Sequence, residues 1–205
     1  MIELACEGRN NAPCAIVGVD IAAGEDHFDD LNYSEMHHPH FEAFQLAKRH
    51  DLNITIHAGE VGDSTFVKKA VYEYGAKRIG HGYRIAHEPD VMEDMKVRNI
   101  HFEVCPTSSY ETGGWQFDEH NKNWAEHPAV KMFRYGLNIG LNTDDPSVFD
   151  TSCTWQYRIA TGKMGFTKEC ILKTIHNSIN SAFLSDPEKE TLRSQLDKWY
   201  KLYTC

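Results

Sequence analysis

Ile54-Thr55-Ile56-His57-Ala58-Gly59-Glu60 is a run of β-branched residues that enters a histidine, a small-residue turn and a glutamate. β-branched side chains suit a pleated strand, while alanine and glycine suit a tight bend, so the segment reads as a strand with two titratable groups at its C-terminal end. Working outward, the same grammar recurs. Asn53 to His57 is one of five β-type runs, the others being Ala15 to Ile21, Arg78 to Gly82, Ile100 to Val104 and Leu137 to Asn142. Stripes at helical spacing separate them: Phe41, Phe44 and Ala47, then Val67, Ala70, Val71 and Tyr74, which Gly75 would end.

Strands alternating with helices predict a parallel sheet. Polar, titratable residues gather at the end of each apolar run, just ahead of the next helix. That is the C-terminal rim, where parallel α/β folds carry their chemistry. A (β/α)8 barrel needs about 250 residues, and this chain has the length and strands for about five βα units. Thr167 is placed to cap a helix holding Ile171, Ile175 and Ile179, and Asp186-Pro187 to start another holding Leu192, Leu196, Trp199 and Tyr203. No repeat, low-complexity tract or linker interrupts the pattern, so residues 1–205 are expected to form a single domain.

With 41% hydrophobic and 25% charged residues, the 205-residue chain has the balance of a globular domain. It contains no run of about eighteen apolar residues and no basic, greasy leader, so the expected address is the cytoplasm, without a membrane partner. Six scattered cysteines, with no Cys-x-x-Cys pair, read as reduced thiols. A net charge of -9 repels a polyanion, and no basic stripe appears, so no nucleic-acid partner is expected. A small neutral molecule in a local pocket is the compatible ligand.

Several rim segments carry chemistry. At a strand end, His57 can offer a neutral imidazole to a metal, with Glu60 projecting beside it; alone, a His-x-x-Glu tetrapeptide in a loop is more often incidental. In Arg78-Ile79-Gly80-His81-Gly82 the glycines clear space on both sides of an imidazole, although a glycine-rich bend with a solvated histidine fits equally. Asp144 and Asp145 in Leu141-Asn142-Thr143-Asp144-Asp145-Pro146 are adjacent acids that repel unless a cation or proton is shared. Normally such a pair is simply solvated; here it closes a rim that already holds His57, Glu60 and His81. The segment His101 to Tyr110 adds hydroxyls able to support that rim, and its Cys105 suits a packed thiol more than a nucleophile.

Taken together and in order, His-Ala-Gly-Glu, Arg-Ile-Gly-His-Gly-Tyr-Arg, His-Phe-Glu-Val-Cys-Pro-Thr-Ser-Ser-Tyr and Leu-Asn-Thr-Asp-Asp-Pro-Ser-Val-Phe resemble the active-site motifs of the adenosine deaminase family, and the likeness runs through essentially the whole chain. That resemblance implies a TIM-type (β/α)8 barrel, of which this chain holds the last five units, one catalytic Zn2+ per site, and a purine nucleoside as the small-molecule partner. It further implies that His57 and Asp144 bind the metal, that Glu60 protonates purine N1, that His81 positions and deprotonates the attacking water, and that Asp145 bonds the N7 edge.

Two departures matter. The family's Asp-Leu-Ala-Gly-Asp-Glu is replaced by Asp20-Ile21-Ala22-Ala23-Gly24-Glu25, so Gly24, after a one-residue shift, or Ala23 takes the backbone contact with the purine. The family's first strand, with its His-x-His metal ligands, has no counterpart, which leads to the expectation of an incomplete chain. The one His-x-His here, His38-Pro39-His40, reads as a solvated loop before a helix. Adenosine and deoxyadenosine are the expected substrates; a relative acting on AMP or modified AMP would need a cationic pocket, for which Arg84 is the single candidate in the motifs. A non-catalytic binding protein built on the same half barrel is the reading from another class.

Overall fold

The computed structural model of the protein describes residues 1–9, 16–22, 25, 33–115 and 123–204. Five parallel strands form one sheet in sequential order, β1 (Gly18–Val19), β2 (Asn53–Ala58), β3 (Arg78–His81), β4 (His101–Val104) and β5 (Asn138–Leu141). Helices connect them: α1 (Ile2–Gly8) precedes the sheet, α2 (Tyr33–Arg49) joins β1 to β2, α3 (Ser64–Tyr72) follows β2, and α4 (Pro89–Val97) follows β3. The short α5 (Pro106–Glu111) and α6 (Pro128–Tyr135) lie between β4 and β5, and α7 (Cys153–Gly162), α8 (Lys168–Ser181) and α9 (Asp186–Thr204) close the chain. This is the sheet of a partial (β/α) barrel, as the sequence predicts. Among the described residues no helix is long and apolar enough to cross a membrane.

Strand alternation divides the sheet into two chemically different faces. Ile54, Ile56, Ile79, Phe102, Val104, Ile139 and Leu141 are all buried, in one core with Val67, Ala70, Met92, Met95, Val130, Met132 and Ile159 from the helices. Burying each large apolar side chain is worth about 1.5–3 kcal/mol, so this face holds the layers together. The other face is polar. The register aligns His57 with Gly80, Gly80 with Glu103, and Glu103 with Gly140. Below His57, the Arg78 guanidinium meets Glu103 at 2.8 Å, and the Thr55 hydroxyl donates to Glu103 at 3.1 Å. The Phe183 ring covers Arg78 at 4.0 Å from the guanidinium carbon to the ring centroid.

Local signals explain the helix ends. Thr167 accepts from the Cys170 amide as the N-cap of α8, and α9 begins at Asp186. One expectation is corrected: α2 runs through His38-Pro39-His40 instead of starting after a loop there. Pro39 removes one helical hydrogen bond, yet a single missing donor does not unwind a helix of 17 residues whose later turns bury Phe44 and Ala47 in the core. His40 is exposed on this helix.

Candidate active site

Each site residue is aimed by a neighbour. His57 is the penultimate residue of β2, and its ring occupies the space left by Gly80, where an added Cβ would lie 2.9 Å from the imidazole Cδ2 and Cγ. Glycine at position 80 therefore admits the ring of the neighbouring strand. The His57 Nδ1–H donates to Asp20, whose two oxygens lie at 3.3 and 3.2 Å, which directs Nε2 away as the free ligand atom. This hydrogen bond raises the His57 pKa, and burial opposes it. The supporting role of Asp20 was missed in the sequence, although a carboxylate closing the first β run was the available signal.

Glu60 leaves the strand through Gly59, which sits at φ 70°, a left-handed backbone that glycine adopts without a side-chain clash. Its Oε1 accepts from the Thr112 hydroxyl at 3.3 Å, and its Oε2 lies 3.6 Å from His81 Nε2. Burial raises the Glu60 pKa, with the charges of Asp144 and Glu25 adding to it and the Thr112 bond opposing. Both effects favour the neutral acid.

His81 and Asp144 adopt left-handed φ values of 63° and 60°, uncommon for residues bearing a Cβ. The His81 side chain is nearly fully buried, with Nε2 3.6 Å from Asp144 Oδ2, and its Nδ1 has no hydrogen-bond partner among the described residues. Burial, then the neighbouring His57, pushes its pKa down to about 4. Neutral imidazole is thus its state at pH 7. Asp144 Oδ2 accepts from the Ser108 hydroxyl at 2.6 Å, so the hydroxyls of the fourth rim segment do support the site.

Helix α5 carries Ser108 and is itself anchored by buried bonds. The Thr107 amide donates to Gln156 at 3.1 Å, and the Gln156 amide returns a bond to the Thr107 hydroxyl at 2.7 Å. His127 Nδ1 accepts from the Ala129 amide, so Nε2 carries the proton and donates to Ser109 Oγ at 2.9 Å. Cys105, just before α5, is buried, and burial pushes its thiol well above the usual range, which suits a packed thiol and not a nucleophile.

One nitrogen each of His57 and His81 and one oxygen of Asp144 all lie within 4.8 Å of one another. Two imidazoles and a carboxylate form a donor set suited to zinc and to other first-row divalent ions. Glu60 joins the same cluster through His81. Asp145 follows Asp144 in an exposed turn where its carbonyl accepts from the amides of Val148 and Phe149. Gly24 and Ala23 lie outside the described residues.

A family profile described as Adenosine deaminase matches residues 2–199. The chain is 37% identical over 203 residues to the adenosine deaminase of Xenopus tropicalis, covering 99% of this chain and 51% of that protein. It is 36% identical over 188 residues to that of Bos taurus, covering 92% and 48%. The chain therefore spans about half the length of the curated relatives it matches. Among solved structures, an amidohydrolase of Burkholderia ambifaria with bound zinc superposes with a TM-score of 0.82 at 26% identity, covering 98% of this chain and 53% of that one. The apo N6-methyl-AMP deaminase of Arabidopsis thaliana superposes with a TM-score of 0.76 at 26% identity, covering 96% and 53%.

Proposed function

The chain belongs to the adenosine deaminase family, and from that premise we propose that it forms part of a zinc-dependent hydrolase converting adenosine or deoxyadenosine to inosine or deoxyinosine plus ammonia. The observation that carries this reading is the convergence of His57, His81 and Asp144 within 4.8 Å, with Glu60 3.6 Å from His81. The setting we propose is purine metabolism in the cytoplasm, which suits the free thiols of Cys6, Cys105, Cys153 and Cys170.

In this mechanism His57 and Asp144 hold the metal, which when bound supplies a Lewis acid and lowers the pKa of its water from near 16 toward about 7. Neutral His81 orients the attacking water and accepts its proton. Glu60 delivers a proton to purine N1 as the new C–O bond forms at C6, which is why a raised pKa fits its task. His81 then returns its proton to the departing amine, the C–N bond breaks as the C6 hydroxyl gives its proton back to the Glu60 carboxylate and becomes the carbonyl, and ammonia leaves. Asp145 takes the N7 edge of the purine, and the backbone at Gly24 takes its N3 edge.

A second substrate reading, AMP or a modified AMP, has one observation in its favour. Arg84 carries a buried Nε with no hydrogen-bond partner among the described residues, and its backbone is tied to the Gly59 carbonyl at 2.9 Å. The decisive experiment supplies Zn2+ to the 205-residue chain, and to a version extended upstream by a strand ending in His-x-His, and follows ammonia release from adenosine and from AMP. Faster release from adenosine supports the first reading and faster release from AMP the second. Zinc-loaded protein that turns over neither would overturn both and favour a binding role.

A further inference from the structure

Glu25 makes an unusual set of contacts for a carboxylate outside the reacting cluster. Its Oε1 accepts from the Gly59 amide at 2.6 Å, and its Oε2 accepts from the amides of Val61 at 2.8 Å and Gly62 at 2.7 Å. The three N–H groups belong to the turn that carries Glu60, and together they form a concave nest of backbone donors filled by one anion. Gly62 makes this close approach possible, since an added Cβ there would lie 3.0 Å from Glu25 Cβ. Other ties on this turn are the Arg84 amide on the Gly59 carbonyl at 2.9 Å and the Thr112 hydroxyl on Glu60 at 3.3 Å, while Gly59 sits at φ 70° and Val61 is exposed.

The contact is also long-range. Glu25 follows β1, whereas the turn follows β2, and the same post-β1 segment supplies Asp20 to His57. The segment after β1 thus grips the end of β2 at two points, one on the ring of His57 and one on the amides around Glu60. Hydrogen bonds to an ionised carboxylate are roughly twice as strong as neutral ones, so the second grip fixes the turn more firmly than a backbone turn alone.

We propose that Glu25 is a positioning residue that latches the Gly59–Gly62 turn and thereby aims the Glu60 carboxyl at the reacting purine. The proposal rests on the deaminase reading for what Glu60 does, but not for the latch itself. Glutamine in place of Glu25 keeps the length and shape of the side chain, yet it removes the charge and turns one acceptor into a donor facing amide N–H groups.

Two measurements on Glu25→Gln test it. Hydrogen exchange at the Gly59, Val61 and Gly62 amides should accelerate at least about tenfold, and unchanged rates would overturn the latch whether or not the protein deaminates anything. In whichever form of the protein turns over adenosine, kcat should fall about 10- to 100-fold, with KM within about twofold and zinc content intact, as expected when transition-state alignment is lost. Placed on Glu60→Gln, the same change should cost less than about twofold, because a residue acting only through Glu60 has nothing left to aim. An equal loss in both backgrounds, or loss of zinc, would show a merely structural role and overturn the proposal. Absence of turnover in the wild type sinks the deaminase reading alone and leaves the exchange result to decide the latch.

Discussion

His81 and Asp144 meet at 3.6 Å, Nε2 to Oδ2, and each reaches that point from a left-handed backbone. Such a conformation costs a residue with a Cβ about 1–3 kcal/mol and persists where the surroundings impose it. Here one residue ends β3 and the other follows β5, with β4 between them, so two strained turns bend their side chains together across the rim. Strain and metal binding should therefore separate on mutation at Asp144. Both Asp144→Ala and Asp144→Gly should release zinc, but the glycine variant should be the more stable of the two by about 1 kcal/mol, since it relaxes the backbone. Equal urea midpoints for the two variants would argue that the turn stores no strain.

Glu60 is expected to act on the substrate and not on the metal. Glu60→Gln preserves the shape and the acceptor for Thr112 but has no proton to give, so turnover should fall about 10²- to 10⁴-fold with zinc stoichiometry unchanged. Metal analysis beside steady-state rates checks this. Lost zinc with full activity per remaining zinc would reverse the assigned roles.

The two glycines around His81 serve different neighbours, which makes their substitution informative. At Gly80 an added methyl meets the His57 ring at 2.9 Å, so Gly80→Ala should displace that ligand and weaken zinc binding while leaving the fold largely intact. At Gly82 the methyl comes within 2.6 Å of the fully buried Phe102 ring at a backbone φ of 71°. Overpacking and left-handed strain together should cost Gly82→Ala about 2–5 kcal/mol. Thermal melts with and without zinc distinguish them; a Gly82→Ala melt matching wild type would contradict the packing argument.

What the sequence made legible was whatever depends on local pattern. The strands that run into His57 and His81, each ending within one residue of the expected position, the Thr167 cap and the start of α9 follow from alternation, small residues and capping chemistry that act within a few positions. The partners that aim those residues were not legible, because Asp20 on His57, Glu25 on the Glu60 turn and Gln156 on Thr107 join segments far apart in the chain. Helix α2 crossing Pro39 was missed for a related reason: tertiary burial of Phe44 and Ala47 outweighs a local helix breaker. Ser108 was foreseen only as one of several hydroxyls, and its specific bond to Asp144 needs the fold.

Buried His127 should make the fold acid-sensitive. Burial pushes its pKa from 6.5 down to about 3, so the neutral form is favoured in the folded state and the unfolded chain takes up the proton first. Its contribution to stability is full above pH 6.5 and is lost progressively as pH falls through the window down to about 3. Replacing it by asparagine keeps an N-cap acceptor for the Ala129 amide but removes the titration. His127→Asn should be less stable than wild type at pH 7, yet lose less of its urea midpoint between pH 7 and pH 4.5. His101, also buried and pushed to about 4, leaves part of the slope in place. Parallel midpoint curves for the two proteins would show that His127 does not drive the acid response.

The final expectation concerns how tightly these 205 residues alone hold zinc. Catalytic zinc usually has three protein ligands and an open position for water. Among the described residues the rim offers His57, His81 and Asp144, and if His81 serves the water, only two ligands remain for the metal. Ser108 and Asp20 stiffen those two but add no donor atom of their own to the clustered three. The 205-residue polypeptide should accordingly bind zinc weakly enough to lose it on gel filtration, and deaminate adenosine poorly. A version extended upstream with a strand ending in His-x-His should retain one zinc per chain and gain activity. His81→Ala separates the possibilities further: if His81 serves the water, zinc affinity of the extended protein should change little while turnover collapses. Stoichiometric, tightly held zinc in the short chain, abolished by His81→Ala, would instead make His81 a true third ligand and require another base for the water.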